Sequence, residues 1–167
     1  MKTLFLLRHA KAENAAPGLT DLERALNERG RKEAQAIGTF VKKQNLKFDV
    51  VLSSTAVRAR ETTELVLASA ELAANVRHDR RIYEAGPLRL LEVISEIEED
   101  TSAVLLVGHN PGMGELLQLL TIRDEQMATG MLAKIDLAAA EWSMIAEDKG
   151  GPCNLVWIVN PNELATS

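Results

Sequence analysis

Ala103-Val104-Leu105-Leu106-Val107-Gly108-His109 decides the fold: an unbroken apolar run that ends on a glycine and an imidazole. Such a run, bounded by a turn signal, reads as a strand buried on both faces and therefore central in a sheet. Near the amino end, Leu4-Phe5-Leu6-Leu7-Arg8-His9 repeats the arrangement, so two of the chain's three histidines stand at the carboxyl ends of apolar strands. In an open α/β sheet, ligands collect in the crevice beyond those ends. Both imidazoles reach one site if the two strands are parallel neighbours. An arginine beside the first imidazole suits that site to an anion.

Outward from these strands, apolar runs alternate with helical patterns, which is the signature of a sheet covered on both faces. Strands are expected at 3–8, 49–52, 76–79 and 103–107. Helices are expected at 30–44, with Ala34, Ile37 and Val41 on one face, at 57–69, at 88–98, and after Pro111 through Leu120, with Pro111 in the first turn. Lys11 to Asn27 contains Pro17-Gly18 and reads as a long loop over the first strand's mouth; long loops in compact domains are usually functional. The last third alternates apolar and polar residues from Met131 to Leu137, and Trp142–Ala146 and Leu155–Val159 read as further strands around a Lys149-Gly150-Gly151-Pro152 turn. These are expected at the sheet edge, at least one of them antiparallel. The predicted class is α/β, a three-layer αβα sandwich with a mostly parallel sheet and an antiparallel edge, forming one domain over residues 1–167.

Composition narrows the function. The chain of 167 residues is 46% hydrophobic and 26% charged, ordinary values for a globular protein. No apolar stretch approaches the roughly 20 residues of a membrane helix, and Arg8-His9 interrupts the amino-terminal apolar patch too early for a signal peptide. A cytoplasmic location is the expectation. A single cysteine, Cys153, excludes an internal disulfide and offers no zinc cluster, and it reads as a packed small residue. A net charge of −5 and 4% aromatic residues argue against a nucleic-acid surface.

The chemistry-bearing residues fall in four places. A neutral His9 can attack phosphorus and divide one hard displacement into two easier ones, while Arg8 supplies planar donors to the phosphoryl oxygens. Ser53-Ser54-Thr55-Ala56-Val57-Arg58-Ala59-Arg60 passes from strand to helix, where the Ser and Thr side chains can cap the helix and Arg58 can swing into the mouth. Arg60 points away, as a solvated residue paired with Glu64. Gly108-His109-Asn110-Pro111-Gly112 places His109 at a helix N-terminus, where a protonated ring would clamp a transferring phosphoryl group. Glu84, in the loop after Ile82-Tyr83, can protonate a departing alkoxide. Asp21 and Arg24 lie in the loop over the mouth, where substrate contact on one side and helix capping and surface pairing on the other explain them equally well. His78, in a charged stretch, receives no catalytic role.

These motifs, in this order from Leu4 to about Leu120, resemble the histidine phosphatase, or phosphoglycerate mutase-like, superfamily. Arg8-His9-Ala10-Lys11-Ala12, Leu22 to Gly30, Gly108-His109-Asn110-Pro111 and Pro152-Cys153-Asn154-Leu155 are similar to its phosphohistidine phosphatase (SixA) branch. Mutases of the superfamily continue Arg-His-Gly-Glu, whereas Ala10 and Lys11 follow here and Ala15 stands where they carry an asparagine. The resemblance implies catalysis by His9, Glu84 and His109, phosphate binding by Arg8, Arg58 and His109, and a phospho-His9 intermediate without a metal or cofactor. The implied substrate is a phosphorylated protein, a histidine-containing phosphotransfer domain. The alternatives are a small phosphoester cleaved by the same mechanism, or a phosphate-binding adaptor without turnover. Only Lys11–Asn27 and Leu72–Gly86 are long enough to serve as a lid, which fits a shallow mouth open to a folded partner.

Overall fold

A computed structural model of the chain describes residues 1–147 and 152–164. Its strands are β1 (Thr3–Arg8), β2 (Val50–Ser53), β3 (Asn75–His78), β4 (Ala103–Gly108), β5 (Leu132–Asp136) and β6 (Asn154–Val159). Its helices are α1 (Glu28–Lys43), α2 (Val57–Ala70), α3 (Pro87–Ser95), α4 (Gly112–Thr121) and the single turn α5 (Pro161–Leu164).

The strands form one sheet in the order β3-β2-β4-β1-β5-β6. β1 and β4 are parallel neighbours in register, with Arg8 opposite Gly108. β5 runs antiparallel to β1, and β6 antiparallel to β5. Of the carboxyl-terminal strands only β6 is therefore an edge. β5 lies between two partners, and its alternation of buried and half-buried residues reflects partial cover on one face.

Strand periodicity divides the core in two. Leu4 and Leu6 of β1 and Val104 and Leu106 of β4 face α3 and α4, where Leu90, Ile94, Leu116 and Leu120 are fully packed. Phe5, Leu7, Leu105 and Val107 face the other way, against Ala34, Ile37 and Val41 of α1 and Val66 of α2. These two apolar layers enclose the sheet and fix which strand ends can meet.

Several local features differ from expectation. Trp142–Met144 is a turn of 3-10 helix rather than part of a strand. The Glu99 carboxylate accepts from the backbone N–H groups of Trp142 and Ser143, so those donors need no sheet partner. The Trp142 ring is completely buried, and its Nε1–H donates to the Thr101 carbonyl. α3 stops at Ser95, three residues short of the expected end. Pro111 stands at the N-cap of α4, just outside its first turn. The Lys149–Gly151 part of the expected turn lies outside the described residues.

Candidate active site

β1 and β4 deliver their histidines together. The rings of His9 and His109 have centroids 5.1 Å apart, and each residue is 8% exposed. The spacing follows from strand pairing, because neighbouring strands lie about 4.8 Å apart. The backbone beyond β1 is held as well. His9 N–H donates to the Gly108 carbonyl, and Gly130 N–H is shared between the carbonyls of Arg8 and His9. Ala10 N–H donates to the Thr62 hydroxyl, which donates in turn to the Arg58 carbonyl on α2.

The protonation of His9 follows from its partner. Its Nδ1 lies 2.7 Å from the Ala10 carbonyl, which can only accept, so Nδ1 carries the hydrogen and Nε2 keeps its lone pair. Burial, with the charges of Arg58 and Arg8 and the neighbouring His109, brings the ring's pKa down to about 3. The ring is therefore neutral at pH 7, as a nucleophile requires.

His109 is also neutral here, contrary to a protonated clamp in the resting protein. Burial and the Arg58 charge lower its pKa to about 4. Its Nε2 lies 2.7 Å from the Ser54 hydroxyl, whose oxygen already accepts from Ala56 N–H. Among the described residues the Ser54 hydroxyl has no acceptor other than Nε2, so its hydrogen goes there and the remaining hydrogen of His109 sits on Nδ1. That atom is buried and has no hydrogen-bond partner. Ser54 thus orients an imidazole instead of capping α2, whose N-cap is Ala56 with no side-chain bond.

Arg58 is buried and reaches across to the loop over the mouth. Its two terminal nitrogens donate to the Asp21 carbonyl at 2.7 Å and to Asp21 Oδ2 at 3.0 Å. Arg60 is exposed, as expected, but makes no ion pair with Glu64 among the described residues. Arg8 is half-buried and gives one terminal N–H to the Met127 carbonyl, and its Nε is buried without a partner. Two nitrogen donors, Arg8 Nε and His109 Nδ1, therefore lack acceptors where buried polar groups are almost always satisfied. A bound anion has the chemistry to satisfy both.

A cavity of 390 Å³ opens at the mouth, lined by Asp21, Arg58, Glu84, His109, Asn110 and Glu115 among others. Glu84 is exposed and holds a left-handed backbone conformation, φ +56°. The loop that carries it is pinned where Gly112 meets Ala85, since a Cβ on Gly112 would lie 2.0 Å from the Ala85 carbonyl oxygen. His9 does not line this cavity; it sits one ring away, next to His109. His78 is exposed at the end of β3, away from both imidazoles in the sheet order. Cys153 is half-buried against the core.

Three further residues gather at this site. The Tyr83 hydroxyl donates to Asp21 Oδ2 at 2.5 Å, and the Tyr83 ring meets His109 edge-on. Arg24 donates to Asp21 Oδ1 at 2.8 Å. Glu33, on the apolar face of α1, accepts from Lys11 N–H, Thr129 and Asn162, and its charge acts favourably on Arg8. The signal for Glu33 is present in the sequence: it stands one turn before Ile37, on a face that is otherwise apolar. Tyr83 has no comparable signal, because its partner is distant in the chain.

The family model for the histidine phosphatase superfamily (branch 1) matches residues 4–87. The chain belongs to the histidine phosphatase superfamily. An uncharacterized protein of Mycobacterium tuberculosis is 36% identical over 115 residues, 68% of this chain and 69% of that protein. A SixA protein of Agrobacterium tumefaciens superposes with a TM-score of 0.82 at 30% identity, covering 96% of this chain and 98% of that one. A SixA protein of Nakamurella multipartitia gives 0.82 at 28% identity, covering 96% of each chain. The fold is that of the phosphoglycerate mutase-like proteins, in its SixA-type form. As a histidine phosphatase the protein is a hydrolase of phosphoryl groups. Among the described residues no helix is long and apolar enough to cross a membrane, and no group of three or more His, Cys, Asp or Glu could hold a metal ion.

Proposed function

We propose that the protein hydrolyses phosphohistidine on a protein partner, a histidine-containing phosphotransfer domain, in the cytoplasm and without a metal. The observation that carries this reading is the neutral His9, its Nε2 lone pair kept available by the Nδ1–H bond to Ala10, next to buried donors that lack acceptors. Arg8 and Arg58 supply the positive charge, and His109 donates through Nδ1 to a phosphoryl oxygen. The bound anion draws the His109 pKa back up, so the ring gains charge when it is useful.

In the first step the Nε2 pair of His9 bonds to phosphorus while the substrate's P–N bond breaks, its electron pair remaining on the departing ring nitrogen. In the second, water attacks phospho-His9, releasing inorganic phosphate and restoring the imidazole. The SixA proteins similar to this chain carry phosphohistidine phosphatase in their names, which supports the substrate class. The exposure of Asp21 and Glu84 at the mouth supports access by a folded surface.

One observation favours a second reading, a small-molecule phosphomonoesterase. Glu84 lines the mouth and can give a proton to an alkoxide, a service an imidazole leaving group does not need. The test is to mix the protein with a phosphohistidine-bearing phosphotransfer domain and, separately, with sugar phosphates and nucleotides, then to quench in alkali. Acid-labile phosphate should appear on His9 with the first and be absent from His9→Ala. Higher specificity constants across the ester panel would reverse the substrate order.

A further inference from the structure

We infer that Asp21 determines specificity: its carboxylate accepts the ring N–H of a nitrogen leaving group and disfavours phosphoesters whose leaving group departs as an anion. The inference rests on the phosphohistidine reading and adds the residue that would select for it.

The first observation is position. Asp21 lines the same cavity as Arg58 and His109, and its side chain is 45% exposed, so it faces whatever the phosphoryl group is attached to. The second is anchoring. Tyr83 and Arg58 both donate to Oδ2, and Arg24 donates to Oδ1. Arg24 is itself fixed by a bond from Nε to the Glu13 carbonyl. Three donors from separate segments hold the carboxylate in place, and together they keep Asp21 well below the usual carboxylate range, so it is ionised throughout the working range. The third is capacity. An ionised carboxylate offers about four acceptor positions, and the three donors leave one on Oδ1.

The chemistry of the two leaving groups then diverges. A phosphohistidine ring protonated on its distal nitrogen loses the phosphoryl group with its electron pair on the proximal nitrogen and leaves as neutral imidazole, the distal N–H unchanged. No proton has to be delivered during that step. A carboxylate accepting the distal N–H favours the protonated ring and hence the easier departure. An ester leaves with the pair on oxygen, so negative charge grows within reach of Asp21 and is opposed by it. Asp21 thus acts on the ratio between substrates, whereas Arg58 and His109 act on both through the shared phosphoryl group.

The test compares kcat/KM for N-phosphohistidine and for para-nitrophenyl phosphate in the full chain, in Asp21→Asn and in Asp21→Glu. Asparagine keeps an oxygen toward Arg58 but removes the charge, and thermal melts of all three proteins separate a loss of folding from a change in specificity. The phosphohistidine-to-ester ratio should fall about tenfold or more in Asp21→Asn, the size of one lost charge-assisted hydrogen bond, and recover in Asp21→Glu. A ratio unchanged while both rates fall together would overturn the inference and leave Asp21 as a support for Arg58. Wild-type protein that cleaves the ester but not N-phosphohistidine would instead remove the substrate reading itself.

Discussion

Replacing Glu33 by alanine tests whether the buried carboxylate on α1 holds the mouth together. Glu33 is 3% exposed and accepts from Lys11 N–H at 2.9 Å, from Thr129 at 3.2 Å and from Asn162 at 3.0 Å. Hydrogen bonds to a charged group contribute about 1.5–3 kcal/mol each, but Thr129 and Asn162 can turn toward water once released. The Lys11 N–H cannot, because Gly30 of α1 sits against that residue so closely that a Cβ there would lie 1.9 Å from the Lys11 carbonyl oxygen. Alanine is the better helix former by roughly 0.5 kcal/mol, a small offset. The net loss should be about 1–3 kcal/mol, a sizeable fraction of the roughly 5–15 kcal/mol that stabilises a typical domain. Glu33→Gln keeps one acceptor oxygen but turns its amide donors toward the Asn162 side-chain amide, and should lose about 1–2 kcal/mol. Urea denaturation followed by fluorescence of the two tryptophans measures both. A loss below about 1 kcal/mol in Glu33→Ala would refute the assignment of Glu33 as the tie between β1's exit loop and the carboxyl-terminal turn.

Other outcomes follow from the same geometry. Arg58→Ala and His109→Ala should each slow phosphate release by about two to three orders of magnitude, as for the loss of one oxyanion donor, and a drop of less than about tenfold in steady-state assays would count against their contact with the phosphoryl group. Glu84→Gln should slow para-nitrophenyl phosphate less than alkyl phosphates, because a nitrophenolate leaves without a proton; equal slowing of both would end its role as acid. Acid should destabilise the fold. The unfolded chain protonates both histidines below their ordinary value of 6.5, while the folded protein keeps His109 neutral to about 4 and His9 to about 3. Unfolding therefore takes up protons in that window and stability falls with pH, by on the order of 3 kcal/mol per ring. Denaturation midpoints that stay level between pH 6.5 and 4 would contradict the burial of both rings as neutral species.

The sheet and its helices were legible because their signals are local and periodic. The runs at Leu4–Leu7 and Ala103–Val107 fix two central strands, and the glycine and arginine after them mark where the site begins. Trp142–Ala146 misled because alternation alone cannot reveal that a distant carboxylate, Glu99, satisfies the backbone there. Ser54 was readable as a cap from its place before a helix, and its actual bond to His109 depends on the β2–β4 pairing. Asp21 is undecided in the sequence for the same reason: its partners Arg58 and Tyr83 come from segments that only the fold brings near, whereas its pairing with Arg24 is local. Residues whose role is set by one strand end could be found in the chain, whereas those that join two loops could not.

The distance between the two imidazoles is inherited from main-chain pairing, since Arg8 lies opposite Gly108 and the rings follow one residue later on each strand. Side-chain repacking in either apolar layer leaves that ruler untouched, and an insertion of one residue in β1 or β4 turns a histidine to the opposite face. The separation of the two rings is consequently a fixed gauge. The rest of the mouth is lined from the Lys11–Asn27 and Asp79–Gly86 segments and from the start of α4, and substitutions there can alter what the site accepts without moving the two rings.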